Sequence, residues 1–222
     1  MEFIPAKEST WFIRIFKWYT WLLFKRRFSR VWLRQDYKPG KKSKTIYFLN
    51  HNSWWDGLIP LLLNEFRLKQ QARALMEDRQ MEQYRFFQKI GAFSINRNYP
   101  RKAVTSMRYA VQSMQRNNAC LFVYPEGKIT PVGSKLQFEG GLAWIYSKVR
   151  DLDVDIVPIA IHIQTIRKDK PELHLHVGEA VEVPGTLNNK KRTQLLQEKL
   201  QSLLNDLRST AGFDDSGYER FL

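Results

Sequence analysis

Short apolar runs alternate with amphipathic stretches along most of this chain, and this alternation restricts the folds open to it. Runs rich in β-branched and aromatic residues predict buried strands at 45–49, 72–76, 93–95, 119–124 and 155–164. Amphipathic stretches predict helices at 58–68, 78–90, 101–116 and 189–208, and edge or hairpin strands are predicted at 173–177 and 180–183. Strands and helices in alternation predict an α/β fold, a mixed and largely buried β-sheet flanked by helices.

The N-terminal stretch 11–33 is aromatic-rich and departs from this pattern. Its longest uncharged run, 18–24, is much shorter than the ~20 residues that a bilayer-spanning helix needs. On a helical wheel a basic face opposes an apolar face; the first contains Arg14, Lys17 and Lys25, and the second contains Phe12, Ile15, Phe16, Tyr19, Leu22 and Leu23. This pattern favours an amphipathic helix lying in a membrane interface. The alternative is a helix that packs its apolar face on the core.

The chain divides on this basis into two parts. Residues 1–40 are predicted to form the N-terminal amphipathic segment and a polar linker. Residues 41–222 are predicted to form the α/β domain, which ends in a docked helix. The chain's only cysteine, Cys120, lies in an apolar run and is predicted to be a buried structural thiol in a reducing compartment.

The formal net charge of +14 over 222 residues predicts an anionic partner. A membrane surface, a phosphorylated substrate and a nucleic acid all qualify. Seven tryptophans favour the membrane, because indole rings prefer the headgroup region. A nucleic-acid-binding domain is disfavoured, since the chain shows none of the RRM, KH or zinc signatures.

The stretch "LNHNSWWDG" follows a predicted strand and places His51 five residues before Asp56. If a helix begins after Ser53, the Asp56 carboxylate can lean back and orient the imidazole as a general base. The same residues form an S-x-x-D capping box, in which Asp56 only satisfies backbone N–H groups. Spacing alone leaves both readings open. The four histidines show no ligand-like clustering, so no metal site is predicted.

Four segments, in order, resemble the motifs of the glycerolipid acyltransferase family, of the lysophosphatidate (1-acylglycerol-3-phosphate) type. They are N-H-x-S-x-x-D at 50–56, a glycine-to-arginine segment at 91–97, Y-P-E-G at 124–127 and V-P within 156–159. The resemblance implies transfer of an acyl group from acyl-CoA or an acyl carrier protein to a lipid hydroxyl, as in phospholipid biosynthesis. It implies no cofactor beyond that co-substrate, and a peripheral or monotopic protein on the cytoplasmic face of a membrane.

The resemblance also implies roles for individual residues. His51 would act as the general base, and Asp56 would stabilise the imidazolium. Substrate-binding positions would be Arg97, Glu126 and Gly127, and structural motif positions would be Asn50, Ser53, Gly91, Pro125 and Pro158. Lys128 departs from the motif and is predicted to bind substrate by offering a point charge next to Gly127. Donors for the tetrahedral oxyanion would be backbone N–H groups, either near Gly127 or at the helix start after His51.

Two further positions depart from the family pattern. Ile129 stands where the third motif carries an arginine for the acceptor's phosphate, and Glu139 replaces a cation downstream. Either the phosphate is held differently, or the acceptor is a lipid without that phosphate, such as a glycolipid or an ornithine-type lipid. Other classes left open are a thioester hydrolase and an inactive membrane scaffold.

Overall fold

The computed structural model describes residues 3–96 and 99–222, without the side chains of Pro100 and Arg101. These residues form one sheet of eight strands in the order β4-β3-β5-β2-β6-β7-β1-β8. The strands are β1 (Arg30–Gln35), β2 (Lys44–Leu49), β3 (Gln71–Glu77), β4 (Ala92–Ile95), β5 (Ala119–Val123), β6 (Val154–Gln164), β7 (Glu172–Val177) and β8 (Glu219–Arg220). The α/β class predicted from the alternation is confirmed.

Helices cover both faces of this sheet. They are α1 (Thr10–Arg27), α2 (Ile59–Leu63), α3 (Asp78–Gln83), α4 (Phe86–Lys89), α5 (Pro100–Ser113), α6 (Gly141–Val149) and α7 (Asn189–Thr210). Two 3-10 turns, Trp54–Leu58 and Arg150–Leu152, and a π turn, Asn64–Leu68, complete the helical elements. One apolar core lies beneath α2 and α4, and a second lies beneath α5, α6 and α7. The sheet is therefore buried on both sides, as near-continuous apolar strands require.

Parallel pairing brings several chain segments to one edge of the sheet. Strand β2 pairs in parallel with β5, with Phe48 opposite Val123, and also in parallel with β6, with Leu49 opposite Ile159. The segments that leave the carboxyl ends of these strands therefore emerge side by side. This is the edge at which open α/β sheets place their ligands.

Several elements differ from the sequence-based expectations. Residues 30–35, assigned above to the N-terminal helical segment, form β1 because they pair in register with β7. The predicted strand 180–183 is wrong, since this segment is irregular and only Val181 N–H reaches the sheet, at Ile156 O. The predicted helix 78–90 is two short helices. Helix α6 was not predicted.

The buried and exposed sides of helix α1 differ from the two faces that the helical wheel predicts. Its buried side carries Thr20 and Phe24, and Phe16 packs against Phe86 in a tilted arrangement with ring centroids 5.0 Å apart. Lys17 faces the domain as well, with Nζ 3.4 Å from a Glu65 carboxylate oxygen. The exposed side carries large apolar residues, namely Trp11, Ile15, Trp18, Tyr19 and Leu22. The helix therefore packs on the core and still presents an apolar aromatic face to the outside.

Candidate active site

His51 and Asp56 meet in the structure. His51 follows the end of β2, and Asp56 lies in the 3-10 turn, so the chain bends back between them. The distance between His51 Nδ1 and Asp56 Oδ2 is 3.1 Å. Asp56 is fully buried, whereas the His51 side chain is 15% exposed. A carboxylate at this distance accepts the Nδ1 proton, which leaves Nε2 as the basic nitrogen.

The Asp56 carboxylate also caps the turn. Its Oδ2 accepts the backbone N–H groups of Asn52 at 2.7 Å and Ser53 at 2.8 Å, and its Oδ1 accepts the Ser53 hydroxyl at 2.7 Å. One carboxylate therefore makes both the capping contacts and the contact with the imidazole. The bonds from Asn52 and Ser53 hold this carboxylate against the ring. The general-base role of His51 and the structural role of Ser53 stay predictions.

Glu126 supports His51 from the neighbouring strand end. Its Oε2 accepts the His51 backbone N–H at 3.2 Å, and its Oε1 accepts the Thr130 hydroxyl at 3.1 Å. Burial raises the pKa of this carboxyl, and the bonds from His51 and Thr130 oppose that shift. The structure places Glu126 behind the His51 main chain, where it fixes the backbone rather than lining the cavity described below.

The raised pKa of Glu126 predicts a pH-dependent difference in stability. The folded protein binds the Glu126 proton more tightly than the unfolded chain, so acidification through the folded pKa stabilises the wild type, down to the ordinary value of 4.5. A Glu126→Gln variant lacks this gain. We expect the free energy of unfolding of the wild type, minus that of the variant, to rise as the pH falls from 7. Urea titrations at a series of pH values measure it, and a constant difference would contradict the expectation.

The structural motif residues hold the strand ends together. Asn50, fully buried, bonds the Ile161 backbone on β6 with both ends of its amide, at 2.9 and 2.8 Å. Pro158 lies opposite Phe48 in the β2–β6 register. Gly91 has φ +98°, and a Cβ there would lie 2.6 Å from the Ala72 carbonyl oxygen. Glycine is therefore required at this position by both backbone conformation and space.

The third motif contributes a tight turn and one cation. Pro125 is buried, and Gly127 has φ +65° and donates its N–H to Tyr124 O at 2.9 Å. Lys128 is exposed at the edge of the cavity. Three N–H groups in the two regions predicted to supply oxyanion donors are engaged in this structure, since those of Asn52 and Ser53 bind the Asp56 carboxylate and that of Gly127 binds Tyr124 O. Arg97, predicted to bind substrate, lies outside the described residues.

Two residues near the imidazole were not singled out from the sequence. The Tyr124 ring lies 4.6 Å from the His51 ring between centroids, and its hydroxyl donates to the Asp56 carbonyl oxygen at 2.5 Å. Thr130 donates its N–H to the His51 carbonyl oxygen at 2.8 Å. Both come from the segment after β5, so only the position of the third motif beside the first could have suggested them.

A cavity of about 710 Å³ opens at this pair. Its lining includes His51, Trp54 and Lys128, together with apolar residues such as Leu61, Ala72, Ala74, Met76 and Phe122, and polar ones such as Asn64 and Arg73. Strand β3 is an interior strand, yet its side chains are partly exposed because the cavity lies against them. The volume is within the ~300–1,000 Å³ range of ligand pockets.

Among the described residues, no three His, Cys, Asp or Glu side chains are arranged to hold a metal ion. Within the same part of the chain, no helix combines the length and apolarity needed to cross a bilayer. Cys120 is fully buried, as predicted, and burial raises the pKa of its thiol.

Comparison with known proteins agrees with the motifs. The acyltransferase family model matches residues 4–162, a span that contains all four motif segments. The curated proteins give no match. Among solved structures, the chain is similar to "1-acyl-sn-glycerophosphate (LPA) acyltransferase, PlsC" from Thermotoga maritima, with a TM-score of 0.64 and 19% identity, covering 89% of this chain and 80% of that one. The family match confirms the resemblance read from the motifs, and the structural match shows a shared fold.

Proposed function

Because the chain belongs to the acyltransferase family, we propose that it transfers a fatty acyl group from a thioester, acyl-CoA or acyl carrier protein, to a hydroxyl of a glycerolipid. The observation that carries this proposal is the His51–Asp56 pair, 3.1 Å apart at the wall of a largely apolar cavity. Acyl transfer in this family needs no cofactor.

The geometry suits general-base catalysis by His51. Asp56 takes the Nδ1 proton, so Nε2 removes the proton of the acceptor hydroxyl as its oxygen attacks the thioester carbonyl. The C–O bond forms, the C–S bond breaks, and the thiolate leaves with the proton from the imidazolium. Asp56 stabilises that imidazolium through a buried, short contact. This sequence of steps needs no acyl-enzyme, which agrees with the burial of Cys120.

The cavity is the proposed site of the acyl chain. Small side chains at Ala72 and Ala74 leave room beside β3, and aromatic and aliphatic groups complete the wall. We expect Ala74→Phe to shorten the usable space and to shift the preferred donor towards shorter acyl chains. The measurement is competition between acyl-CoA donors whose acyl chains differ in length. A Val104→Phe variant, at an exposed position of α5, is the control. An unchanged length preference would contradict this assignment.

Helix α1 is the proposed membrane contact. Its exposed apolar face is followed by the exposed cations Lys25, Arg26 and Arg27, a combination that suits an anionic bilayer surface. The protein is proposed to be peripheral or monotopic and to contact the cytoplasmic face of the membrane. Contact through α1 would keep the cavity close to a lipid acceptor.

Replacing two residues of this face is expected to weaken vesicle binding. We predict that Trp18→Ser with Leu22→Ser lowers the partition onto anionic vesicles by about tenfold or more, because both side chains are half exposed and apolar. Flotation with phosphatidylglycerol-containing vesicles measures this. Phe213→Ser is the matched control, since Phe213 is an exposed aromatic outside α1. Point variants are suited to this test because a deletion of residues 1–33 would also remove part of β1 from the sheet. Equal binding of all three proteins would contradict the assignment.

A second acceptor class follows from the departures in the third motif. Ile129 is exposed at the cavity edge, so the position of the family arginine offers no cation here. An acceptor without phosphate at the reacting end, such as a glycolipid or an ornithine-type lipid, is proposed as the alternative to lysophosphatidate. Assays with each acceptor and with Ile129→Arg distinguish them. Lysophosphatidate as the best acceptor, with no gain from the variant, would exclude the alternative.

The proposed function as a whole is tested by lipid analysis. Mass spectrometry of lipids from cells with wild-type protein, with His51→Ala and with no protein would identify the product class. A lipid class that depends on the wild-type protein and is lost in the variant supports the proposal. Thioester cleavage without any acylated lipid would indicate a hydrolase instead.

A further inference from the structure

An exposed segment beside His51 is not explained by the proposed chemistry. This segment, residues 128–135, is named here the mouth loop and reads Lys-Ile-Thr-Pro-Val-Gly-Ser-Lys. Ile129 is 45% exposed and Val132 is 55% exposed, and Pro131 between them is exposed as well. Lys128 and Lys135, at the two ends, are also exposed. The mouth loop is therefore an apolar tip between two cations.

Hydrogen bonds hold the mouth loop in this conformation. Thr130 O accepts the Asn52 side-chain amide at 2.9 Å, in addition to the Thr130 N–H bond to His51 O. Ser134 N–H closes a turn on Pro131 O at 3.1 Å. Just after the loop, Leu136 N–H binds the Gln201 side chain of α7 at 2.9 Å. The apolar tip is thus fixed in an outward position, and its exposure is a property of the fold.

The mouth loop lies at the opening of the cavity. Lys128 and Ile129 line that cavity together with His51, and Trp54, 42% exposed, lines it as well. Single exposed apolar side chains are ordinary on protein surfaces, but a group of them around a ligand cavity marks an interaction surface. A partner that covers this surface therefore also contacts the cavity opening beside the His51 imidazole.

The chemistry of the mouth loop fits a bilayer better than a protein partner. Apolar side chains between lysines match the boundary between hydrocarbon and headgroups, where a lysine stem can keep its ammonium at the phosphates. Tryptophan prefers the same depth. An acidic carrier protein would be recognised by charge over roughly 800 Å² per partner, whereas the tip between the two lysines is apolar.

We propose that the mouth loop inserts Ile129 and Val132 into the surface of an anionic bilayer and so sets the cavity opening at the lipid. This is a contact additional to α1, and it rests on the membrane-associated acyl transfer proposed above. It gives Ile129 a role that an arginine at this position would not have. The partner is the lipid surface itself, recognised by its apolar boundary and its negative charge.

A fluorescent probe on the mouth loop tests the contact directly. Cys120, the chain's only cysteine, is fully buried, so a surface cysteine can be labelled selectively in the full-length protein. Val132→Cys carries an environment-sensitive fluorophore, and Glu198→Cys on the exposed side of α7 is the matched control. On phosphatidylglycerol-containing vesicles we expect a blue shift and quenching by acyl-chain nitroxide lipids at position 132 only. A probe at 132 that stays aqueous on vesicle-bound protein would overturn the proposal.

A charge variant tests whether this membrane contact contributes to acyl transfer. Val132→Glu is expected to lower transfer to an acceptor embedded in vesicles by about tenfold, because a carboxylate is costly at that depth. Phe213→Glu adds the same charge at another exposed apolar position and is expected to behave as wild type. If Val132→Glu instead slows only reactions with an acyl carrier protein, in vesicles and in solution alike, the loop binds the carrier and the proposal is wrong.

The two proposals fail in different ways. Insertion of the probe at 132 by a protein that acylates no lipid would remove the proposed function and leave the membrane contact. Acyl transfer by a protein whose probe at 132 stays aqueous would leave the function and remove the contact. The labelled His51→Ala variant separates them further, because its vesicle contact is expected to be unchanged.

Discussion

Replacing His51 with alanine is expected to lower the rate of acyl transfer by about 100- to 10,000-fold, the usual contribution of a general base. The protein should stay folded, because the His51 main-chain bonds to Glu126 and Thr130 do not involve the ring. After truncation Asp56 keeps its bonds from Asn52 and Ser53. The measurement is the initial rate of lipid acylation, with circular dichroism to verify the fold.

His162→Gln is the matched control for this variant. His162 is also near the carboxyl end of a strand, but its Nε2 lies 3.0 Å from the Gln164 side-chain oxygen and it does not line the cavity. Its replacement is expected to leave the rate close to that of the wild type. A His51→Ala protein as active as the control would show that some other group takes the proton.

Replacing Asp56 with asparagine is expected to lower the rate by a factor of tens to about 10,000, with little loss of stability. The amide oxygen can still accept the Asn52 and Ser53 N–H groups, and the amide nitrogen can donate to the Ser53 hydroxyl. The negative charge proposed to stabilise the imidazolium is lost. Rates at several pH values, together with urea unfolding, measure the two effects separately.

Asp56→Ala separates the capping role from the catalytic role. It leaves two backbone N–H groups and one hydroxyl without their acceptor, and each such loss costs about 1–3 kcal/mol in a buried site. We expect the free energy of unfolding to fall by about 3 kcal/mol or more relative to asparagine. An asparagine variant with full activity, beside an unstable alanine variant, would reduce Asp56 to a helix cap.

Much of the fold could be predicted because the strands are apolar and continuous. The strand ending at Val123 is buried throughout, and the strand containing Pro158 is buried over most of its length, so their apolar residues run almost without interruption. Strand β1 escaped prediction because it adjoins an aromatic-rich helix without a clear break. The segment around Val181 has strand-like alternation, but it makes only one of the bonds to the sheet that a strand would make. In both segments, pairing with neighbouring strands determined whether a strand formed, and the local strand propensity of the residues did not.

Part of the candidate site could be predicted for a similar reason. Asp56, Ser53 and His51 lie within six residues, so one turn of backbone is enough to bring their polar groups together. Tyr124 and Thr130 contact Asp56 and His51 across separations of 68 and 79 residues in sequence, respectively. Those contacts form because β2 and β5 are parallel neighbours, which no local pattern specifies.

The amino-acid sequence alone specifies an α/β chain and a capping motif that contains an acid and follows a histidine, because apolar periodicity and short-range capping are local properties. Only the tertiary structure decided which side of α1 remains exposed, that Glu126 lies behind the His51 backbone, that Ile129 lines the cavity, and that Val132 is exposed on the same loop. These outcomes depend on which strands are neighbours and on what each helix packs against. Such long-range packing is a property of the whole chain.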